Sequence, residues 1–598
     1  MVNFDFQNDE IVLSPTVIVS GHLLAVSRGV IQFVNNNNKV FPPQVFEINN
    51  GYFKAILHLS PDRNEFEVTV YEGVAINEFG FADFEKNSKA RDSSKLTIVY
   101  RKHENKVVHL CLIVGKDSNG GYDMPKYRLN RGERPSLDAA IRKLKVAGRL
   151  MQAFTMNEMR NTGFYNRTFQ FAEETTDDQG LFGYNVKSPT PHQEVKVHVL
   201  QSDKTVAQLR DPDWAQQNKN AKNLGALFGH AIELVKRTPE LWNEHERNGT
   251  AVQCACFYLD STWDKKNNLI LTHAALGGGT GEVKMAIFGS HGLHLWPATF
   301  PAVTPSFLDA THLSINEVAN DCNECGTSWE CLNITMGAFM HEIGHSLGCP
   351  HQENGVMLRD YVWWNRAFMT REKECLRRRS GGETIGNGGQ WGANCTWHIC
   401  DKMRFFYHDS FTMSPDLNDP TFAKCISTTL QPDKLYDENG YSSSPSSFSI
   451  KQNEITVNSP SGFYMIEFVT DSLARASINF LPKSFGGNGL PKLLTFTHQQ
   501  LFQEFKNRRL DGREDFDIRF LSLLGDLYID KLNEYLRNHH EEPIQGDFGL
   551  GRGVIKGYKG TVLGREDGRM IVAGFDINTL YKVRIYHGGA LDGVEFFY

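Results

Sequence analysis

The segment that most restricts this chain is NITMGAFMHEIGHSLGCPHQENGVM, residues 333–357. Met336, Phe339, Met340, Ile343 and Leu347 recur at helical spacing, which predicts a helix with one face packed inward and Asn333 as its N-cap. His341 and His345 fall one turn apart on the other face, so their imidazoles stand over each other as two ligands of one tetrahedral zinc would. Glu342 lies beside them without being needed as a ligand. Gly348 stands where a helix C-terminus calls for a left-handed residue, and Pro350 stiffens the reversal that brings His351 back as a third ligand. Three protein ligands with the fourth position open are the arrangement of a catalytic zinc rather than a structural one. With 21 His and 52 Gly in 598 residues, chance supplies this pattern in roughly 3 of 10,000 such chains, so the bland alternative of satisfied core or surface histidines is the weaker one.

The rest of the composition narrows the class. A chain of 598 residues has room for about three or four domains. Its 40% hydrophobic and 22% charged residues are those of folded protein. A net charge of -7 and no long basic run exclude nucleic acid as the main partner. No basic n-region precedes an apolar run at MVNFDFQNDEIVL, and no stretch reaches the roughly 18 apolar residues of a membrane span, so a cytoplasmic, membrane-free protein is expected. The odd count of 11 cysteines agrees with reduced thiols. Without a secretory route, the glycosylation tripeptides at Asn166, Asn248, Asn333 and Asn394 are read as chance.

Along the chain, short β-rich runs separated by turn clusters such as NNNNK and NNG predict an antiparallel, immunoglobulin-like β-sandwich over residues 1–100. Strands and helices alternate over 101–430, which implies an α/β layer with a largely parallel sheet. The basic, then Gly-rich stretch 378–395 reads as a surface loop. Residues 431–545 form a β/α accessory region with helical periodicity at about 497–540, and 546–598 are Gly-rich and alternating. The expected fold class is therefore α+β multidomain.

The run His341-Glu342-Ile343-Gly344-His345-Ser346-Leu347-Gly348-Cys349-Pro350-His351 resembles the extended zinc signature of the metzincin metalloproteases, and Gly355-Val356-Met357 resembles their Met-turn. The resemblance implies Zn²⁺ as cofactor, His341, His345 and His351 as ligands, Glu342 as general base, and Met357 as a hydrophobic floor that does not ligate. A Tyr two residues past the Met, which some metzincins use, is absent; Tyr361 is four past. Metzincins pair substrate backbone with an edge strand above the zinc helix, and GEVKMAIFG at 281–289 is the candidate, with an ordinary sheet strand as the alternative. More broadly, the opening SPTVIVSG, the continuation MLRDYVWWNRAF and the tail are similar to the fungal "putative zinc metalloproteinase" family with a C-terminal jacalin-like domain. In that resemblance Val583–Tyr598 opens a partial jacalin-like β-prism, through which a glycan could bind.

Weaker signals remain. Cys322, Cys325, Cys331, Cys395, His398 and Cys400 could assemble a second, structural zinc site, or stay ordinary thiols. Cys349 reads as a buried structural thiol, Arg377-Arg378-Arg379 as a solvated loop, and His291 and His294 as cleft-lining or surface residues. The leading function is a zinc-dependent endopeptidase acting on polypeptide. Its rivals are a catalytically silent zinc-site protein that binds glycans or proteins, and a zinc-dependent amidohydrolase acting on a non-peptide substrate.

Overall fold

The structure is a computed structural model that describes residues 1–77, 82–84, 88–102, 105–321, 325–414, 416, 447–451, 454–459, 461–508, 515–523, 526–538, 542–546, 555–559, 579, 581–587 and 591–597. The chain divides into two compact units, one of residues 1–443 with 472–474 and 481–489, the other of the remaining residues from 444 to 598.

The first unit begins with eight strands in one hydrogen-bonded path: Val2–Phe4, Thr16–Leu23, Tyr52–His58, Gln44–Asn49, Arg28–Asn35, Asp62–Glu72, Ala90–Tyr100 and Glu10–Val12. The path folds over at the hairpin Asn49–Tyr52, where Asn50 and Gly51 both take positive φ (52° and 82°), the backbone an Asn-Gly turn adopts cheaply. The two halves share one core, in which Val17, Val19, Phe53 and Leu57 meet Ile31, Phe33, Phe66 and Ile98. The strands form one continuous eight-stranded path, antiparallel as expected except at one edge, where Glu10–Val12 runs parallel to Ala90–Tyr100.

The second sheet is parallel through Val107–Val114, Val252–Tyr258 and Val283–Gly289, with Val197–Gln201 and Gln170–Phe171 also parallel to Val107–Val114. Every residue of Val252–Tyr258 is buried, as befits a strand covered on both faces. Alternation sends Cys254, Cys256 and Tyr258 toward the helix Ala226–Lys236, whereas Phe257 and Phe288 turn to the other face and meet Phe339 with ring centroids 5.3 and 6.0 Å apart. Phe339 belongs to the helix Ser328–Ser346. The sheet ends in Leu276–Gly279, antiparallel to Val283–Gly289. The long helix Leu137–Asn161 is capped by Ser136, whose Oγ accepts from the Ala139 amide at 3.2 Å, and its Met156 joins the sandwich core.

The second unit holds the hairpin Ser447–Lys451/Glu454–Asn458, joined by Leu493–Thr497, and the strands Phe463–Thr470, Asp517–Ser522 and Leu527–Ile529. The helical stretch expected at about 497–540 is instead two helices, His498–Arg508 and Leu532–Asn538, with two of these strands between them, because DIRFLS alternates inward at period two. Of the jacalin-like module expected at 546–598, the described parts are the Ile555–Lys559 strand and the hairpin Lys582–His587/Leu591–Phe597; the remainder of that reading lies outside the described residues. Among the described residues, no helix is long and apolar enough to cross a membrane.

Burial of neutral imidazoles makes the first unit acid-sensitive. Burial pushes His58 down to about 3 and His273 to about 4 from an ordinary 6.5, and moves His291 and His294 the same way. As pH falls below 6.5 the unfolded chain takes up these protons first, so stability is complete above that value and drains away toward pH 4. All nine tryptophans lie between residues 214 and 397, so urea unfolding followed by their fluorescence reports this unit. We expect a loss on the order of 2 kcal/mol per buried histidine between pH 7 and pH 5; an unchanged midpoint would contradict it.

Candidate metal centre

The helix Ser328–Ser346 starts on a capping box. The Thr327 amide and hydroxyl both donate to Glu330 Oε2, at 3.1 and 2.7 Å, and Glu330 also accepts from the Leu376 and Arg377 amides. Asn333 is therefore not the cap that was expected. The helix begins five residues earlier, and Asn333 is buried inside it, donating from Nδ2 to Val362 O (3.0 Å) and Asn365 Oδ1 (2.8 Å) while accepting from the Asn365 amide. It ties the segment beyond the site to the helix. Met336, Phe339, Met340, Ile343 and Leu347 are all buried, as the periodicity predicts.

The helix stops in a Schellman turn. The Cys349 amide donates to Gly344 O at 2.9 Å and the Gly348 amide to His345 O at 3.0 Å, with Gly348 at φ 93°, a conformation glycine takes at no steric cost. The turn brings His351 back over the helix. His341, His345 and His351 each offer a ring nitrogen, and these lie within 4.8 Å of one another, the one such grouping of three His, Cys, Asp or Glu among the described residues. Exposure rises along the trio, from buried His341 through half-buried His345 to exposed His351.

Backbone carbonyls decide which nitrogens face the middle. His341 Nδ1 lies 2.9 Å from Val356 O and His345 Nδ1 lies 2.7 Å from Cys349 O. A carbonyl only accepts, so both Nδ1 atoms carry the proton and both Nε2 atoms present a lone pair. His345 Nε2 and His351 Nε2 are 3.2 Å apart. Two nitrogens that close, one committed to a lone pair, need a proton or a cation between them, and two ligands bound at about 2.0–2.1 Å to a tetrahedral zinc stand about 3.3 Å apart. The donor set fits a divalent metal. Burial, reinforced by His345, pushes His341 down to about 3, so the ring stays neutral, which is the ligating form.

Glu342 is buried beside the trio, and burial pushes its carboxyl up to about 8. Met357 is fully buried under the helix, its Sδ 2.8 Å from where a Cβ at Gly344 would lie. The residue before it, Val356, accepts the His341 Nδ1–H hydrogen bond on its carbonyl and donates its own amide to Thr396 O at 2.8 Å. Neither Thr396 nor the Asn333 tie carries a sequence signal, because carbonyl acceptors are common to all residues. Tyr361 is buried with its ring 6.2 Å from that of His341, and burial raises its hydroxyl to about 12.

Several expectations change. Val283–Gly289 is paired on both sides and is not the edge; Leu276–Gly279 is. That edge strand runs against the site helix so closely that a Cβ at Gly277 would overlap the Glu342 carbonyl oxygen and crowd His345 Cβ. The Leu-Gly-Gly-Gly run was the available signal, but four residues without alternation do not read as a strand. His291 and His294 are fully buried, neither surface nor cleft, because the turn Ser290–Leu295 packs Gly292 onto Thr335 of the helix. The stretch 378–395 is not wholly a surface loop: Ile385, Trp391 and Cys395 are buried, and Arg378 pairs with Glu372 and Glu383. Cys325, Cys331, Cys349, Cys395 and Cys400 are buried and unbridged, and Cys322 lies outside the described residues.

Two helix-borne imidazoles and a third returned by the turn, with an adjoining carboxyl and an antiparallel sheet edge alongside, define a metal-site protein, and comparison with known sequences gives its kin. The Metallopep family, described as "Putative peptidase family", matches residues 1–464, and the chain belongs to it. It is 39% identical over 603 residues to "Putative zinc metalloproteinase YIL108W" of Saccharomyces cerevisiae, covering 100% of this chain and 80% of that one. It is 30% identical to "Putative zinc metalloproteinase C607.06c" of Schizosaccharomyces pombe, covering 99% of this chain and 84% of that one. Among solved structures it is similar to fibronectin(III)-like modules of Clostridium thermocellum CbhA over 17% of this chain and 98% of that one, at 11% identity and a TM-score of 0.12, too slight a match to bear on the fold.

The glycine at 277 is testable. Gly277→Ala should lower stability by about 1–3 kcal/mol, since the added methyl must displace backbone rather than a flexible side chain. Thermal unfolding of the full chain checks this; a change within error would mean that strand and helix are further apart than described.

Proposed function

We propose that the protein is a zinc-dependent endopeptidase of metzincin type, with His341, His345 and His351 holding zinc and Glu342 serving as general base. The observation that carries this reading is the pair of Nδ1–H bonds to Val356 O and Cys349 O, which present two Nε2 lone pairs toward His351 with a buried carboxyl alongside. Zinc bound there would supply Lewis-acid polarisation of a scissile carbonyl and a lowered pKa for the attacking water.

The chain's own groups do the rest. Glu342 takes the proton from attacking water and delivers it to the leaving amine, a role that needs its carboxylate form, which the charge of a bound zinc beside it would favour against the burial that raises its pKa. A polypeptide substrate in extended form adds to the outer side of Leu276–Gly279, where three consecutive glycines leave backbone amides and carbonyls as the recognition groups. Binding through main-chain hydrogen bonds makes few demands on substrate sequence. Met357 supports the helix from below. In this reading residues 101–430 are the peptidase domain, preceded by the sandwich at 1–100 and followed by accessory regions at 431–545 and 546–598. That none of the nine described cysteines forms a disulfide supports a cytoplasmic setting.

The test is mass-spectrometric readout of a mixed peptide library incubated with zinc-loaded protein. Glu342→Ala should retain one zinc and lose cleavage by a factor on the order of 10²–10⁴, and a chelator should abolish it. His345→Ala should lose the zinc itself. Cleavage by Glu342→Ala at the parent rate would sink the assignment.

A further inference from the structure

A cavity of about 320 Å³ lies away from the metal centre, between the sandwich and the chain around 385–396. Asp5, Tyr52 and Lys54 line it from the sandwich, Glu158 from the helix Leu137–Asn161, and Trp391 from the stretch beyond the site. That volume is about ten water molecules' share of liquid at about 30 Å³ each, room for a ligand of about 10–15 non-hydrogen atoms.

The wall groups carry both signs of charge without satisfying one another. Lys54 Nζ donates to a neutral acceptor, the Arg366 carbonyl, and no carboxylate lies within 4 Å of it among the described residues. Burial brings its ammonium down to about 8, with Glu158 and Asp5 too distant to offset it. Asp5 Oδ1 accepts the Ser20 amide at 3.0 Å, but its nearest cation, Arg160, is 3.7 Å away, and burial pushes the carboxyl up to about 6. Glu158 is already committed, to Lys402 at 3.0 Å and the Trp397 amide at 3.2 Å. Trp391 is 7% exposed and its Nε1–H has no partner, while the Arg366 guanidinium stacks on its ring at 4.6 Å. The cavity thus offers an ammonium for an anion, a carboxylate for a cation, and the Tyr52 ring as apolar surface, while the Trp391 Nε1 itself is shut off from solvent.

We infer that this cavity is a binding site for an amino-acid-sized zwitterion, with its carboxylate received by Lys54 Nζ and its ammonium by Asp5. Water alone could fill the space, but it would bring no counter-charge to Lys54. Neither receiving residue belongs to the metal centre, so binding is expected without zinc.

The experiment is saturation-transfer NMR on the full chain with an equimolar mixture of the twenty free L-amino acids, followed by titration of those that respond. At least one should receive transfer and keep its affinity in Glu342→Ala and in chelator. Its amide, lacking the carboxylate, and its N-acetyl derivative, lacking the ammonium, should each bind at least tenfold more weakly. Lys54→Met and Asp5→Asn should weaken it similarly. The proposal is overturned if no amino acid of the twenty receives transfer, if affinity is the same in both variants while circular dichroism shows unchanged folding, or if chelation abolishes binding.

Discussion

The candidate site depends on one kind of interaction, a ring N–H donated to a main-chain carbonyl. An imidazole free to choose its tautomer offers a metal a lone pair from either nitrogen, and rotation of the ring moves both. Here the Val356 and Cys349 carbonyls remove that choice for His341 and His345. Each carbonyl is in turn held by backbone geometry. Cys349 sits in the Schellman turn that ends the helix, and Val356 is anchored by its own amide on Thr396 O. Ring orientation is thus inherited from the path of the chain.

The larger architecture serves the same end. The parallel sheet is covered on both faces, so the helix Ser328–Ser346 lies on a fixed floor of Phe257 and Phe288. Gly277 lets the edge strand approach within backbone contact of that helix, which sets the open sheet edge beside His345. The capping box at Thr327 and Glu330 fixes where the helix begins, and Glu330 reaches on to the amides of Leu376 and Arg377. One buried carboxylate therefore ties a helix start to a loop some forty-five residues away, an economical use of an expensive group.

What was legible in the sequence is what is local. The apolar period, the one-turn spacing of His341 and His345, the left-handed Gly348 and the return of His351 all lie within sixteen residues, 336–351, where dihedral preferences suffice. Contacts made by carbonyls are silent, since every residue has one; Thr396 carries no sign that it supports Val356. Asn333 reads as a cap because an N-cap and a buried amide use the same residue type, and only the competing box at Thr327 and Glu330 decides between them. The edge strand was displaced from 281–289 to Leu276–Gly279 because a strand that must slide under a helix sheds the side chains by which strands are recognised. His291 and His294 look polar in the sequence and are fully buried in the fold, their burial set by a turn packed against Thr335.

The hydrogen bond from Val356 to Thr396 has a consequence for the order of events during synthesis. Residues 341–351 leave the ribosome some forty-five residues ahead of Thr396. Until Thr396 follows, the carbonyl that fixes His341 is itself unanchored. The nascent helix and the turn that orients His345 can form early, but the His341 ring gains its anchored acceptor only once residues 394–397 fold back against Val356. Completion of the trio is thereby tied to a chain some forty-five residues longer than the motif itself.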